Sequence, residues 1–165
     1  MADNKEFVSK YYNRIFTYEL EKPRVKAKLS YSNIMINIYG DIEKSIKLCN
    51  EALAEAKSLN DQELELELLV ELGYRYQSNR SLNSALRTFN QAIQLATYLK
   101  NDIMLMHIYA SIFELLDKNE VSYYDYVISY LETSKRMESR LYFYQGQIQA
   151  FINLIEYFDH HQQPD

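Results

Sequence analysis

Leu69-Val70-Glu71-Leu72-Gly73-Tyr74-Arg75-Tyr76 is followed by a polar stretch, Gln77 to Ser81, and then by Leu82, Ala85, Phe89 and Ala92. Leu69, Leu72, Gly73 and Tyr76 recur at helical spacing along one face. Ala85, Phe89 and Ala92 do the same on a second helix. Gly73, Ala85 and Ala92 put small residues where one helix must approach another, while Leu72, Tyr76 and Phe89 fill the space between. The stretch reads as a helical hairpin with Gly73 buried at its crossing and Ala85 beside it.

The hairpin has a copy upstream. Ser45-Ile46, Cys49-Asn50, Ala52-Leu53, Ala56 and Leu59 match Ala85-Leu86, Phe89-Asn90, Ala92-Ile93, Ala96 and Leu99, each 40 positions later. Downstream, Met106, Tyr109, Ala110 and Phe113 repeat the spacing of Leu69, Leu72, Gly73 and Tyr76 at an offset of 37. The pattern (aromatic or Leu, Leu-Gly, Tyr, turn, Ala, aromatic) resembles the tetratricopeptide repeat, or TPR. The departures are Leu69 where Trp is commonest and Thr97 where Pro often ends the unit. The resemblance implies an all-α fold, a right-handed superhelix of antiparallel helix pairs forming one domain over 1–165. Residues 25–61 are the first repeat, 62–102 the second and 103–140 a degenerate third, with flanking helices at 7–20 and 141–158. In the first repeat the leading helix reads as worn, because Ser32-Asn33 stand where Leu72-Gly73 stand in the second. Helix 123–137 places either Tyr124, Ile128 and Leu131 or Val127, Leu131 and Ser134 inward. Pro23 ends the first helix or begins the next. A period of 40 implies helices about a turn longer than the usual unit, a length that resembles the TPR regions of bacterial regulatory and signalling proteins.

Composition agrees with a helical reading. The 165 residues are 47% hydrophobic and contain only 3 Gly and 2 Pro, so little interrupts a helix. The net charge is −5, which disfavours general nucleic-acid binding. Residues 1–40 carry seven Lys/Arg against four Asp/Glu, whereas 103–165 carry four against nine. Lys22, Arg24, Lys26 and Lys28 form a basic cluster, either a solvated helix start or a patch for an anionic partner. Cys49 is the single cysteine, so no intrachain disulfide forms; it sits on an apolar helix face and should pack as a small hydrophobe. No apolar run has membrane-span length, and Met-Ala-Asp-Asn-Lys-Glu is no signal peptide, so the chain reads as cytoplasmic.

Little in the chain points to catalysis. There is no phosphate-cradling glycine loop, no Gly-x-Ser-x-Gly and no His-Glu-x-x-His. His107 stands alone, and the adjacent His160 and His161 face apart on a helix. Neither metal nor cofactor is expected. Glu67 and Glu71 share a helix face, the usual arrangement of solvated carboxylates. The 16 Tyr include Tyr123, Tyr124, Tyr126 and Tyr130, which point several ways and make either a partner surface or a wet-edged core. In TPR proteins the leading helices line a concave groove that holds peptides. Carried over by position, the resemblance implies a groove of Ala27, Ser30, Ile34 and Asn37, then Glu67, Val70, Tyr74 and Gln77, then Met104, His107, Ser111 and Glu114. It lacks the Lys/Arg clamp used to grip chaperone carboxylates, so a neutral or basic peptide, or a neighbouring segment of the chain itself, suits it better. Tyr74, mid-stripe, is its largest anchor. The reading is a non-catalytic protein- or peptide-binding scaffold, the regulatory or sensory module of a signalling system, with homo-oligomerisation through exposed repeat ends. The alternatives are a TPR chaperone of the type III secretion kind and an enzyme without a recognisable residue set.

Overall fold

The computed structural model describes residues 2–17, 21–118, 120–137 and 140–162. Its described residues form eight helices and no strand: α1 (Ala2–Ile15), α2 (Glu21–Asn37), α3 (Ile42–Ser58), α4 (Gln62–Ser78), α5 (Leu82–Tyr98), α6 (Asp102–Phe113), α7 (Val121–Lys135) and α8 (Arg140–Gln162). They fall into two compact units, 1–88 and 89–165, with the division inside α5. In the first, α1 packs on α2, α2 on α3 and α3 on α4; in the second, α6 packs on α7 and α7 on α8. Pro23 lies in the first turn of α2, so it begins that helix. α1 starts before the expected Phe7, and α8 runs past the expected Phe158. The expected end of the first helix at 18–20 and the tail at 163–165 lie outside the described residues.

α2, α3, α4 and α5 are each 17 residues long, in keeping with the long repeat. Their ends follow a finer rule than the repeat itself. Gly40, Asn60, Arg80 and Lys100 all adopt the left-handed conformation, with φ of 65°, 54°, 57° and 55°. The next amide then reaches back over the helix end: Asp61 to the Ala56 carbonyl at 3.2 Å, Ser81 to Tyr76 at 2.9 Å and Asn101 to Ala96 at 2.9 Å. Asp61 and Asn101 also open the following helix, as Asp41 does. Asp41, Asp61 and Asn101 accept the amides of Lys44, Leu64 and Met104 at 3.1, 3.1 and 3.0 Å. Two residues thus close one helix and cap the next.

In the first unit the core joins Val25, Leu29, Tyr31 and Met35 of α2 to Leu48, Cys49, Ala52 and Leu53 of α3 and to Leu66, Leu68, Leu69 and Leu72 of α4. α1 covers it from outside, with the Tyr12 ring stacked on Tyr31 at 4.7 Å between centroids. Gly73 and Ala85 are buried, as the hairpin reading requires. Cys49 is fully buried, and burial pushes its thiol up to about 12.

The leading helix of the first repeat is rebuilt, not worn. Ser32 is fully buried and bonds to Ser45 of α3, 2.9 Å from its carbonyl and 2.8 Å from its hydroxyl. Arg75 of α4, with only 5% of its side chain exposed, donates Nε–H to the Ser32 hydroxyl at 3.0 Å. Its other nitrogens reach Asn33 Oδ1, the Glu71 carbonyl at 2.8 Å and the Glu71 carboxylate at 2.5 Å. A buried guanidinium needs its donors filled, and α2 and α4 supply the acceptors, with Ser45 of α3 joined through Ser32.

In the second unit the buried residues include Leu105, Ile108, Ile112, Tyr123, Val127, Tyr130 and Ala150. Of the two registers open for α7, the inward one carries Val127 and Ser134, both fully buried, with Leu131 half-buried; Tyr124 is exposed. The close approach here belongs to Gly146. A Cβ at that position would lie 2.5 Å from Ser134 Cβ and 2.8 Å from Met106 Cε.

Candidate binding hollow on helices 6 to 8

The residues expected to line a groove in the first unit separate by burial. Val70 is 5% exposed and belongs to the core, so it presents no surface. Ile34 is half-buried and packs against the Tyr31–Met35–Leu48 cluster together with Val8, Tyr12, Phe16 and Tyr39. Asn37 and Glu67 are exposed, and Tyr74 and Gln77 are half-buried with contacts of their own. Ala27 and Ser30 line a different hollow of about 650 Å³, shared with Tyr11, Tyr12 and Ile15 of α1 and rimmed by Lys22 and Lys26. The basic cluster is largely matched within the protein. Lys22 pairs with Asp61 at 2.5 Å, Arg24 with Glu55 at 3.0 Å, and Lys28 with Glu55 at 2.5 Å. Burial works against the Glu55 carboxylate, but the Lys28 and Arg24 hydrogen bonds outweigh it and hold Glu55 below the usual carboxylate range.

In the second unit the helical spacing of α6 does bring expected residues together. His107, Ala110 and Glu114 lie three and four positions apart and face α8. Ser111, on another face, is buried and donates its hydroxyl to the His107 carbonyl at 3.0 Å. Met104 is half-buried. Ala110 and Glu114 line a hollow of about 690 Å³ with Phe113, Tyr123 and Tyr130 on one side and Gln145, Ile148, Gln149, Asn153 and Glu156 of α8 on the other. His107 lines a smaller one of about 170 Å³ that also includes Ala110, Tyr130 and Gln145.

The chemistry of the larger hollow is mixed. Phe113 packs edge-on to Tyr130 at 5.4 Å and tilted against Tyr123 at 5.7 Å, giving an aromatic wall. Burial raises both tyrosine hydroxyls above their ordinary range, so they stay neutral donors at physiological pH. Lys118 bonds to Glu156 at 2.6 Å, and that bond raises the lysine. Asn153 is 4% exposed; its Oδ1 accepts from Gln149 Nε2 at 3.0 Å. Its Nδ2 is buried with no hydrogen-bond partner among the described residues. A buried amide donor left open costs free energy unless something fills it. Sequence reading passed over Asn153 because it sits in an apolar helix without a motif; the signal was a lone amide among Ile152, Leu154 and Ile155.

The tyrosine-rich helix serves mainly as core. Tyr123 and Tyr130 are buried, and Tyr126 donates its hydroxyl to Asn90 Oδ1 at 2.8 Å. Among the described residues, no group of three or more His, Cys, Asp or Glu could hold a metal ion, and no helix is long and apolar enough to cross a membrane.

No family model matches the chain, and no curated protein matches it in sequence. Solved structures do match. One is a crystal structure from Podosopora anserina, of a chain assigned as a kinesin light chain with nearly identical TPR-like repeats. It is 12% identical, aligns over 99% of this chain and 89% of its own, and gives a TM-score of 0.50. At that identity the likeness concerns the fold alone, and with the consecutive packing of the helices it makes this chain an all-α, TPR-like helical repeat.

Proposed function

We propose that the chain is a non-catalytic protein- or peptide-binding scaffold, the regulatory or sensory repeat module of a signalling system. The observation that carries the reading is the open Asn153 amide beside the aromatic wall of Phe113, Tyr123 and Tyr130. Such a hollow takes an apolar side chain against the rings and a carbonyl oxygen on the amide. Lys118 also lines the hollow and pairs with Glu156 at 2.6 Å, so with Glu114 the edge carries no excess of positive charge, which suits a neutral or basic segment better than an acidic one. In the first unit, Tyr74 with Glu67 and Gln77 is the second place where a partner would engage.

The test begins with capture of a partner from the native host, read by mass spectrometry, followed by calorimetry. Asn153→Leu removes a donor that no described residue uses. It should leave the melting temperature unchanged or raised while weakening partner binding about tenfold or more. Tyr74→Ala should weaken binding by roughly 2 kcal/mol with the fold intact. Wild-type affinity in both folded variants would remove the reading. Capture of one dedicated secreted substrate would move it to the secretion chaperone.

A further inference from the structure

The outer face of α8 carries a second feature, which shares Ile148 with the hollow. Leu141, Tyr144, Ile148, Phe151, Ile155 and Phe158 are between 47% and 63% exposed, an apolar row on a helix whose opposite face is packed. Gly146, Ala150 and Asn153 mark that packed face. The steps along the row alternate three, four, three, four, three. That is the heptad spacing of a helix that meets another helix along its length, with Leu141, Ile148 and Ile155 at one core position and Tyr144, Phe151 and Phe158 at the other. A face covered by an irregular loop has no need of this rhythm.

From this row we infer that α8 is a homodimer seam, in which two copies of the chain pack antiparallel through Leu141–Phe158. The row is complementary to itself in that direction. Turned end for end, Leu141 meets Phe158, Tyr144 meets Ile155 and Ile148 meets Phe151 of the second copy. Every layer then sets an aliphatic side chain against an aromatic one. A parallel pair would instead stack tyrosine on tyrosine and phenylalanine on phenylalanine. An isologous interface requires this kind of self-complementarity. Between its ends the row is flanked by Gln145, Gln147, Ile152 and Leu154, none of them charged. The area is adequate as well. With Ile152, also 44% exposed, seven large apolar side chains each about half exposed offer roughly 700–800 Å² per copy, the scale of a stable interface. That exceeds the single apolar patch of an ordinary monomer.

The full chain is tested by sedimentation velocity from about 1 to 100 µM. The expected result is a rise from the 19.7 kDa monomer toward twice that mass. Tyr144→Glu with Ile155→Glu puts two carboxylates in one layer. Both positions are more than half exposed, so helicity by circular dichroism should be unchanged, while the dimer dissociation constant rises at least about 100-fold. Added salt should tighten the wild-type dimer, because residues 103–165 carry nine acidic against four basic side chains and two copies repel. The direction is read by oxidising single-cysteine variants. Cys49 is buried and stays out of the exchange. Leu141→Cys mixed with Phe158→Cys should form a mixed disulfide, and neither should cross-link alone. A chain that remains at 19.7 kDa throughout would overturn the seam, as when a further segment or a different protein covers this face. So would a double variant that dimerises like wild type, a dimer that salt dissolves, or cross-linking of Leu141→Cys with itself.

Discussion

The crossings at the start of the first and second repeats occupy the same position in the repeat and are closed by opposite chemistry. In the second, Leu72, Gly73 and Ala85 bring two helices together with small and apolar side chains, all buried. In the first, the residues 40 positions earlier are Ser32, Asn33 and Ser45, and Arg75 ties them to α4. A helical repeat can therefore keep its geometry while exchanging close packing for a buried polar network. The two solutions fail differently. Packing degrades in proportion to the volume changed, whereas a network that loses its one multivalent donor strands every acceptor at once.

That difference gives the largest expected effect. Arg75→Met should cost about 3 kcal/mol in chemical denaturation, because the buried Ser32 loses its donor and Asn33 and Glu71 lose theirs. Adding Ser32→Leu, Asn33→Gly and Ser45→Ala converts the crossing to the chemistry of the second repeat and should recover most of the loss. A single Arg75→Met variant within about 0.5 kcal/mol of wild type would show that the network holds nothing. On the packed side, Gly73→Leu should cost roughly 1–3 kcal/mol by overpacking. Gly146→Ala should cost a similar amount. Its added Cβ meets Ser134 Cβ at 2.5 Å, and a Cβ so near its backbone has little room to yield. An unchanged melting temperature in either variant would break the assignment of that crossing.

The repeats were legible because they rest on spacing. Gly73, Ala85 and Cys49 lie where periodicity puts them, since burial on a helix follows from the interval between apolar residues, whereas α7 fits two registers equally and spacing leaves Val127 undecided. What spacing cannot express is which polar departures belong together. Ser32-Asn33 reads as decay until Ser45 and Arg75, 13 and 43 positions away from Ser32, are seen to converge on it. The same limit applies to the site. His107 and Glu114 line hollows with residues of α8 because positions seven apart share a helix face. Val70 and Ser111 are buried because carry-over by position ignores how deeply a neighbouring helix sits. Asn153 carries no motif at all.

The acid side of the first unit gives a smaller effect. Asp41 and Asp61 are held below the usual carboxylate range, first by hydrogen bonds from Lys5 and Lys22 and then by the amides they cap; Glu55 lies low as well. A depressed carboxylate stabilises the folded state above its unfolded pKa and loses that contribution as pH falls through the folded one. Stability should therefore hold near neutrality and decline from about pH 4 downward, by less than about 1 kcal/mol per group given their contact with solvent. Asp61→Asn, which keeps a capping oxygen but no charge, should flatten that decline in a pH series of denaturation curves.

The smallest effect tests the repeat at its helix ends. Gly40, Asn60, Arg80 and Lys100 share one left-handed conformation, but only Gly40 adopts it without a Cβ. A Cβ in that region crowds the following carbonyl, at about 1 kcal/mol for an ordinary residue. Arg80→Gly and Lys100→Gly should each relieve that strain. They also give the unfolded chain more freedom, which returns part of the gain. The net should be a stabilisation of about 0.5 kcal/mol per site, or about 1–2 °C in melting temperature. Both side chains are exposed, so little contact is lost with them. Gly40→Ala supplies the converse. Nothing lies within 4 Å of the Cβ it would add, so any destabilisation is conformational and cannot be blamed on a clash. If Arg80→Gly stabilises and Gly40→Ala destabilises by similar amounts, the two sites, 40 residues apart, are one position of one repeat. If Arg80→Gly destabilises by as much as Gly40→Ala, the arginine holds its helix end by something other than backbone geometry, and the equivalence fails at this turn.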